Sequence, residues 1–217
     1  GIDLNKFKKV NDKKEIHDFK AEYNLPSRYL LYIVTDYPHK NLKNLYIAFS
    51  RIMHLPEMSD YSLVIAGNNS YIKGPGYLKA YLEPIKHRVV SLGHFADEKI
   101  PLLYNASDIF VLPSLYEGFG LTALEAFACG VPLICSDATS LPEVVGDAAY
   151  MVDAKDPDQI AKAIMDIAKD TPLRNMLIDK GLERVKQFSW EKCAEETHNV
   201  YKKVLLETQK EGKANEK

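Results

Sequence analysis

From Tyr29 onward the chain alternates short apolar runs with longer segments of helical period. The apolar runs predict strands near 29–34, 61–66, 89–92, 109–112, 132–135 and 149–152. Their apolar residues run continuously instead of alternating with polar ones, which marks strands covered on both faces. Amphipathic stretches fill the gaps, among them roughly 42–55 and 121–129. Strand and helix in alternation predict an α/β fold, a doubly wound parallel sheet of Rossmann-like form. Ligands of such sheets bind at the carboxyl ends of the strands.

The flanks read differently. Residues 1–28 are polar and Lys-rich, with a weak helical pattern at Glu15, Ile16, Phe19 and Tyr23 before the Leu25-Pro26-Ser27 break, and predict a linker with one leading helix. After Val152 the pattern is purely helical. Asp156-Pro157 opens one helix, Thr171-Pro172 a second, and Ser189-Trp190-Glu191 a third running to about Glu207. The reading is one folded domain over 29–206, with a flexible, solvated tail over 207–217.

Charge narrows the partners. Lys plus Arg number 28 against 30 Asp plus Glu, so a formal net charge of -2 supplies no general attraction to nucleic acid or anionic membrane, and any phosphate site must be local. Of three cysteines, Cys129 and Cys135 lie in apolar runs and behave as small hydrophobes, which fits a reduced, cytoplasmic setting. No apolar run approaches the roughly 20 residues of a membrane span, and no leader opens the chain. Gly1 where a methionine would stand points to a segment excised from a longer protein.

The chemistry concentrates in PSLYEGFGLTALEAFACGVPLICSD, residues 113–137. Gly118 and Gly120 permit strained or close-approach backbone, and a helix starting near Gly120 presents the unpaired amides of Gly120, Leu121 and Thr122. These amides and the helix dipole suit an anion such as a diphosphate. Glu117 stands just before the turn and Glu125 about one helical turn inside, so two carboxylates flank the anion and can accept from hydroxyls. A sugar nucleotide carries hydroxyls on both sides of its diphosphate. Taken singly, the two glutamates, Lys40 and His94 would pass as surface residues. Gly118-Phe119-Gly120-Leu121-Thr122-Ala123 also satisfies G-x-G-x-x-A, with Asp137 placed as a ribose-binding acid, so an NAD(P)-binding dehydrogenase domain is an alternative. Against it, Pro113 to Glu117 intervene after the strand and several βα units precede. Asp156-Pro157-Asp158 has the D-x-D form of some metal sites but reads more simply as a helix cap, and no metal is expected.

These residues resemble the family-4 retaining glycosyltransferases of GT-B fold, whose carboxyl-terminal half binds the donor. The resemblance rests on the E-x7-E spacing of Glu117 and Glu125, the intervening GFGLTAL, and the A-x-G-V-P of Ala128 to Pro132. It extends through YIVTDYPHKNL (32–42), LVIAG (63–67), VVSLGHF (89–95), LPEVVGDAAYMVD (141–153) and FSW (188–190) followed by Tyr201. The resemblance implies that 29–206 is a nucleotide-sugar-binding domain in which Glu117 is the catalytic residue, holding hydroxyls of the donor sugar. Glu125 would bind the ribose, the turn from Gly118 and Phe119 through Gly120, Leu121 and Thr122 the sugar and diphosphate, and Lys40 the phosphate charge. Gly67 and the main chain near His94 and Phe95 would line the nucleobase side. The family commonly carries an Arg five residues before the Lys, where this chain has Thr35. The resemblance further implies transfer of a hexose from a nucleotide sugar to a glycan or glycolipid with retention, without metal or other cofactor. It implies a missing amino-terminal domain that binds the acceptor, so that the domain alone is inactive. The setting would be polysaccharide or lipopolysaccharide synthesis in the cytoplasm, with peripheral membrane association at the inner face. A non-catalytic sugar-nucleotide-binding module is the remaining alternative.

Overall fold

The computed structural model describes residues 1–34, 37–67 and 76–215. Six strands, β1 (Arg28–Val34), β2 (Tyr61–Gly67), β3 (Val89–Gly93), β4 (Ile109–Leu112), β5 (Leu133–Ser136) and β6 (Tyr150–Val152), form one sheet in the order β3-β2-β1-β4-β5-β6. Every pairing is parallel. The strands fall within a residue or so of their predicted places. Pro132 lacks an N–H, so it gives only its carbonyl to Phe110 and β5 begins one residue later than expected.

Nine helices are described: α1 (Lys13–Glu22), α2 (Leu42–Ile52), α3 (Gly76–Leu82), α4 (Ile100–Asn105), α5 (Leu121–Ala128), α6 (Leu141–Val145), α7 (Pro157–Lys169), α8 (Thr171–Arg184) and α9 (Trp190–Asn215). α2 stops short of residue 55 because Pro56 disfavours helical backbone at Leu55 and starts a 3-10 turn. α5 ends where Gly130 turns left-handed at φ 68°. Asp156 caps α7 by accepting from the Asp158 amide, so the D-x-D stretch is the cap the sequence indicated; Asp170 caps α8. The last helix corrects an expectation: it runs to Asn215 instead of ending at about Glu207, since strong helix formers such as Lys, Glu and Gln continue past that point.

Both faces of the sheet are covered, as the continuous apolar strands require. Along β1, Tyr29 and Leu31 enter one apolar cluster with Phe19 of α1, Tyr104 of α4 and Phe127 of α5. Leu30 and Tyr32 enter the other, with Phe49 of α2 and Ile164 of α7. Cys129 and Cys135 are buried in the first cluster, and burial raises both thiols, Cys129 to about 12. They are packing groups.

The strand order sets the site. From β1 the chain proceeds outward to β2 and β3, then returns to place β4 on the other side of β1. The connections leaving β1 and β4 therefore diverge, opening a crevice above their carboxyl ends.

Candidate functional site

The two diverging loops are fastened to each other. Beyond β1 a 3-10 turn, Pro38–Lys40, leads to Asn41 in left-handed conformation (φ 61°) ahead of α2. The buried Asn41 amide donates to the carbonyls of Pro113 (2.9 Å) and Ala154 (2.7 Å). The Leu115 amide donates to the His39 carbonyl at 2.7 Å, and Tyr32 Oη to the Lys40 carbonyl at 2.6 Å. Across this seam Lys40 Nζ meets Glu117 Oε1 at 2.7 Å, with the side chains only 16% and 10% exposed. At that burial the pair is a fixed feature, unlike a solvent-exposed ion pair.

Glu117 is also held through its backbone. Thr139 Oγ1 accepts from the Glu117 amide (3.0 Å) and donates to its carbonyl (3.1 Å). Ser140 Oγ donates to the carbonyls of Glu117 (2.9 Å) and Phe119 (3.1 Å). Thr139 takes φ 55°, costly for a β-branched residue and maintained by these bonds.

The two glycines do different work. Gly120 precedes α5 at φ 101°, a conformation that strains any side chain, and a Cβ there would lie 2.7 Å from Leu141 Cδ2, which would have to shift. Gly118 has open space where its Cβ would be. With glycine before it, α5 has no side-chain cap, and its leading amides at Leu121 and Thr122 form the positive end of the helix.

Glu125 lies inside the first turns of α5 and accepts from Tyr104 Oη at 3.0 Å. Burial raises its carboxyl above the ordinary value; the Tyr104 bond and Lys6 oppose the shift, while Asp97 adds to it. Burial likewise pushes the Tyr104 hydroxyl well up, keeping it a donor.

Sequence reasoning named both glutamates, Lys40 and the turn Gly118–Thr122, and the fold brings Lys40, Glu117 and the turn together. Gly67 (φ 124°) ends β2, one strand from β1, and the exposed His94 follows β3, two strands away on the same edge. The Phe95 ring is buried against Phe19 and Tyr23. Thr35 lies outside the described residues. Asn41, Tyr104, Thr139 and Ser140 were missed; only Asn41, standing ahead of an amphipathic run, carried a local signal. The dinucleotide alternative fails on position. Its glycines follow β4, the fourth strand, with residues 113–117 between Leu112 and Gly118.

Comparison with known proteins agrees. The family description "Glycosyl transferases group 1" matches residues 13–184. O-antigen chain mannosyltransferase B of Escherichia coli is 40% identical over 174 residues, covering 80% of this chain and 45% of that protein. Among solved structures, the C-terminal domain of a glycosyl transferase group 1 family protein from Francisella tularensis aligns with TM-score 0.72 and 25% identity, over 86% of this chain and 97% of that one. Sucrose-phosphate synthase from Thermosynechococcus elongatus aligns with TM-score 0.77 and 28% identity, over 95% of this chain and 51% of that one. The chain thus spans about half the length of the longer proteins it matches. With the family match covering most of its length, the chain belongs to the group 1 glycosyl transferases.

Proposed function

We propose that this chain is the donor-binding half of a retaining hexosyltransferase. The observation that carries the reading is the Lys40–Glu117 pair, closed across the switch point directly before the uncapped end of α5. Each part matches one part of a nucleotide sugar. The amides of the turn and the helix dipole take the diphosphate. Lys40 uses one of its three N–H groups on Glu117 and has others for a phosphate oxygen. Glu117 accepts from hydroxyls of the sugar, and Glu125, held by Tyr104, from the ribose. Gly67 and the backbone at His94 and Phe95 border the nucleobase.

Catalysis in this reading is electrostatic. As the glycosidic bond breaks, charge accumulates on the departing nucleoside diphosphate, where the amides and Lys40 are already oriented, so the protein supplies the stabilisation itself without a metal. A mannose donor is the first choice, because the 40%-identical relative is named a mannosyltransferase. The bulk of the acceptor, a growing polysaccharide or lipopolysaccharide chain, would be held by a further domain corresponding to the unmatched part of the relatives, in a cytoplasmic enzyme associated peripherally with a membrane. Closure of the two halves would exclude water.

Thermal denaturation tests the reading. A nucleoside diphosphate or its hexose conjugate at 100 times its dissociation constant should stabilise the chain by about 2.7 kcal/mol, with or without chelator. Stabilisation by NAD alone, with none by any nucleotide sugar, would sink it.

A further inference from the structure

We infer that Tyr37, His39 and Tyr116 form a second carbohydrate subsite, an aromatic shelf beside the donor site that takes a neutral pyranose ring of the acceptor. The observation is their juxtaposition. Tyr37 and His39 stack with ring centroids 5.4 Å apart and planes 14° from parallel, and Tyr116 stands edge-on to His39 at 6.4 Å and 88°. Tyr37 and Tyr116 are 59% and 60% exposed, and they come from the two different loops that meet at the switch point. Most other large aromatics among the described residues are buried, so two exposed tyrosines converging on one histidine stand out as a surface suited to a ligand.

The shelf is fixed. The His39 carbonyl accepts from the Leu115 amide, binding the two loops at its base. Its neighbours in sequence are Lys40 and Glu117, themselves paired. Ordering the two loops therefore adds little to the entropy cost of presenting the rings.

A pyranose is the ligand whose chemistry matches. One face of the ring carries C–H groups that pack on the negative face of an aromatic ring, and its rim carries hydroxyls suited to phenol and imidazole groups. A purely apolar partner would leave the tyrosine hydroxyls and the adjoining ion pair unmatched. The inference rests on the proposed donor site. That site already assigns the diphosphate to the turn and α5 and the donor sugar to Glu117, so the shelf, on the Tyr116 side of Glu117, accommodates a second sugar.

Saturation-transfer NMR on the 217-residue chain, irradiating aromatic protons, tests this with mannose, glucose and galactose disaccharides under saturating nucleoside diphosphate. Transfer to at least one disaccharide should persist when the nucleotide is present. Tyr37→Ala and Tyr116→Ala should each weaken its binding about three- to tenfold, while Tyr116→Phe retains most of it and nucleotide affinity stays within about twofold in all three. No transfer to any disaccharide, or binding unchanged in both alanine variants, overturns the shelf. Loss of the signal on adding the nucleotide also overturns it, since the sugar would then occupy the donor site. Nucleotide binding is read separately by calorimetry in the same samples. Its failure counts against the donor site, whereas its presence without disaccharide binding counts against the shelf alone.

Discussion

The two ends of strands β1 and β4 carry similar charges to different effect. At the amino end, Asp108 accepts from the Tyr29 amide (2.9 Å) and pairs with Arg28 (3.5 Å) and Arg174 (3.4 Å). The Arg28 guanidinium lies 4.0 Å from the centre of the Tyr61 ring, and Arg174 also reaches the Asp108 carbonyl. At the carboxyl end, Lys40 meets Glu117. The carboxylates are about equally covered, 18% and 10% exposed. Burial and pairing therefore do not separate a structural charge from one proposed to act on a ligand. What separates them is spare capacity: Asp108 is engaged by main chain and two guanidinium groups, whereas the Glu117 pair adjoins open space at Gly118 and uncapped helix amides.

The contrast can be broken from either end. Asp108→Ala should cause the largest change, removing the shared acceptor and costing about 3 kcal/mol of stability. That should lower the melting temperature by roughly 6–12 °C for a domain of this size. Nucleotide affinity of the folded fraction should hold, and a parallel fall would show the two ends to be coupled. Glu125→Gln should do the opposite, weakening nucleoside diphosphate and nucleotide sugar alike by roughly 1.5–3 kcal/mol, about ten- to a hundredfold by calorimetry, while the melting temperature holds or rises slightly as the buried charge is removed. The pH dependence has a defined sign. Because burial raises the Glu125 carboxyl in the folded state, its ionisation costs stability as pH rises from its ordinary value through the raised one, and that cost is fully present above the raised value. Nucleotide affinity, which needs the carboxylate, should fall as pH drops through the raised value, and the Gln variant should lack this step.

Glu117→Gln sharpens the contrast with a smaller effect. It should weaken the sugar-bearing donor about tenfold while leaving nucleoside diphosphate as tight as before or slightly tighter, because Lys40 loses its counter-charge. Equal weakening of both ligands would show that Glu117 does not address the sugar.

The strands were legible because residues such as Leu30 and Leu31 must be apolar to serve opposite faces of one sheet. Their ends, and those of the helices, depended on local exceptions at Pro56, Pro132 and Gly130. The carboxylates flanking the turn could be read because turn and helix are one continuous segment. The Lys40–Glu117 pair could not, since 77 residues separate its members and only the return of β4 beside β1 brings them together. Thr139 and Ser140 were invisible for a related reason. A hydroxyl in a loop has no periodicity, and theirs bond to a backbone more than 20 residues earlier.

The strand order also has a kinetic consequence. β1 pairs with β2 over seven positions, Arg28–Tyr61 to Val34–Gly67, yet with β4 over only two, Leu30–Ile109 and Leu31–Phe110. The chain thus contains two three-stranded halves joined by a short ladder between segments far apart in sequence, and that junction carries a large loop-closure entropy. The bonds from Asn41 to Pro113, Leu115 to His39 and Lys40 to Glu117 all cross it. The crevice consequently forms only when the halves dock, and a nucleotide bound there as proposed would clasp the two halves together.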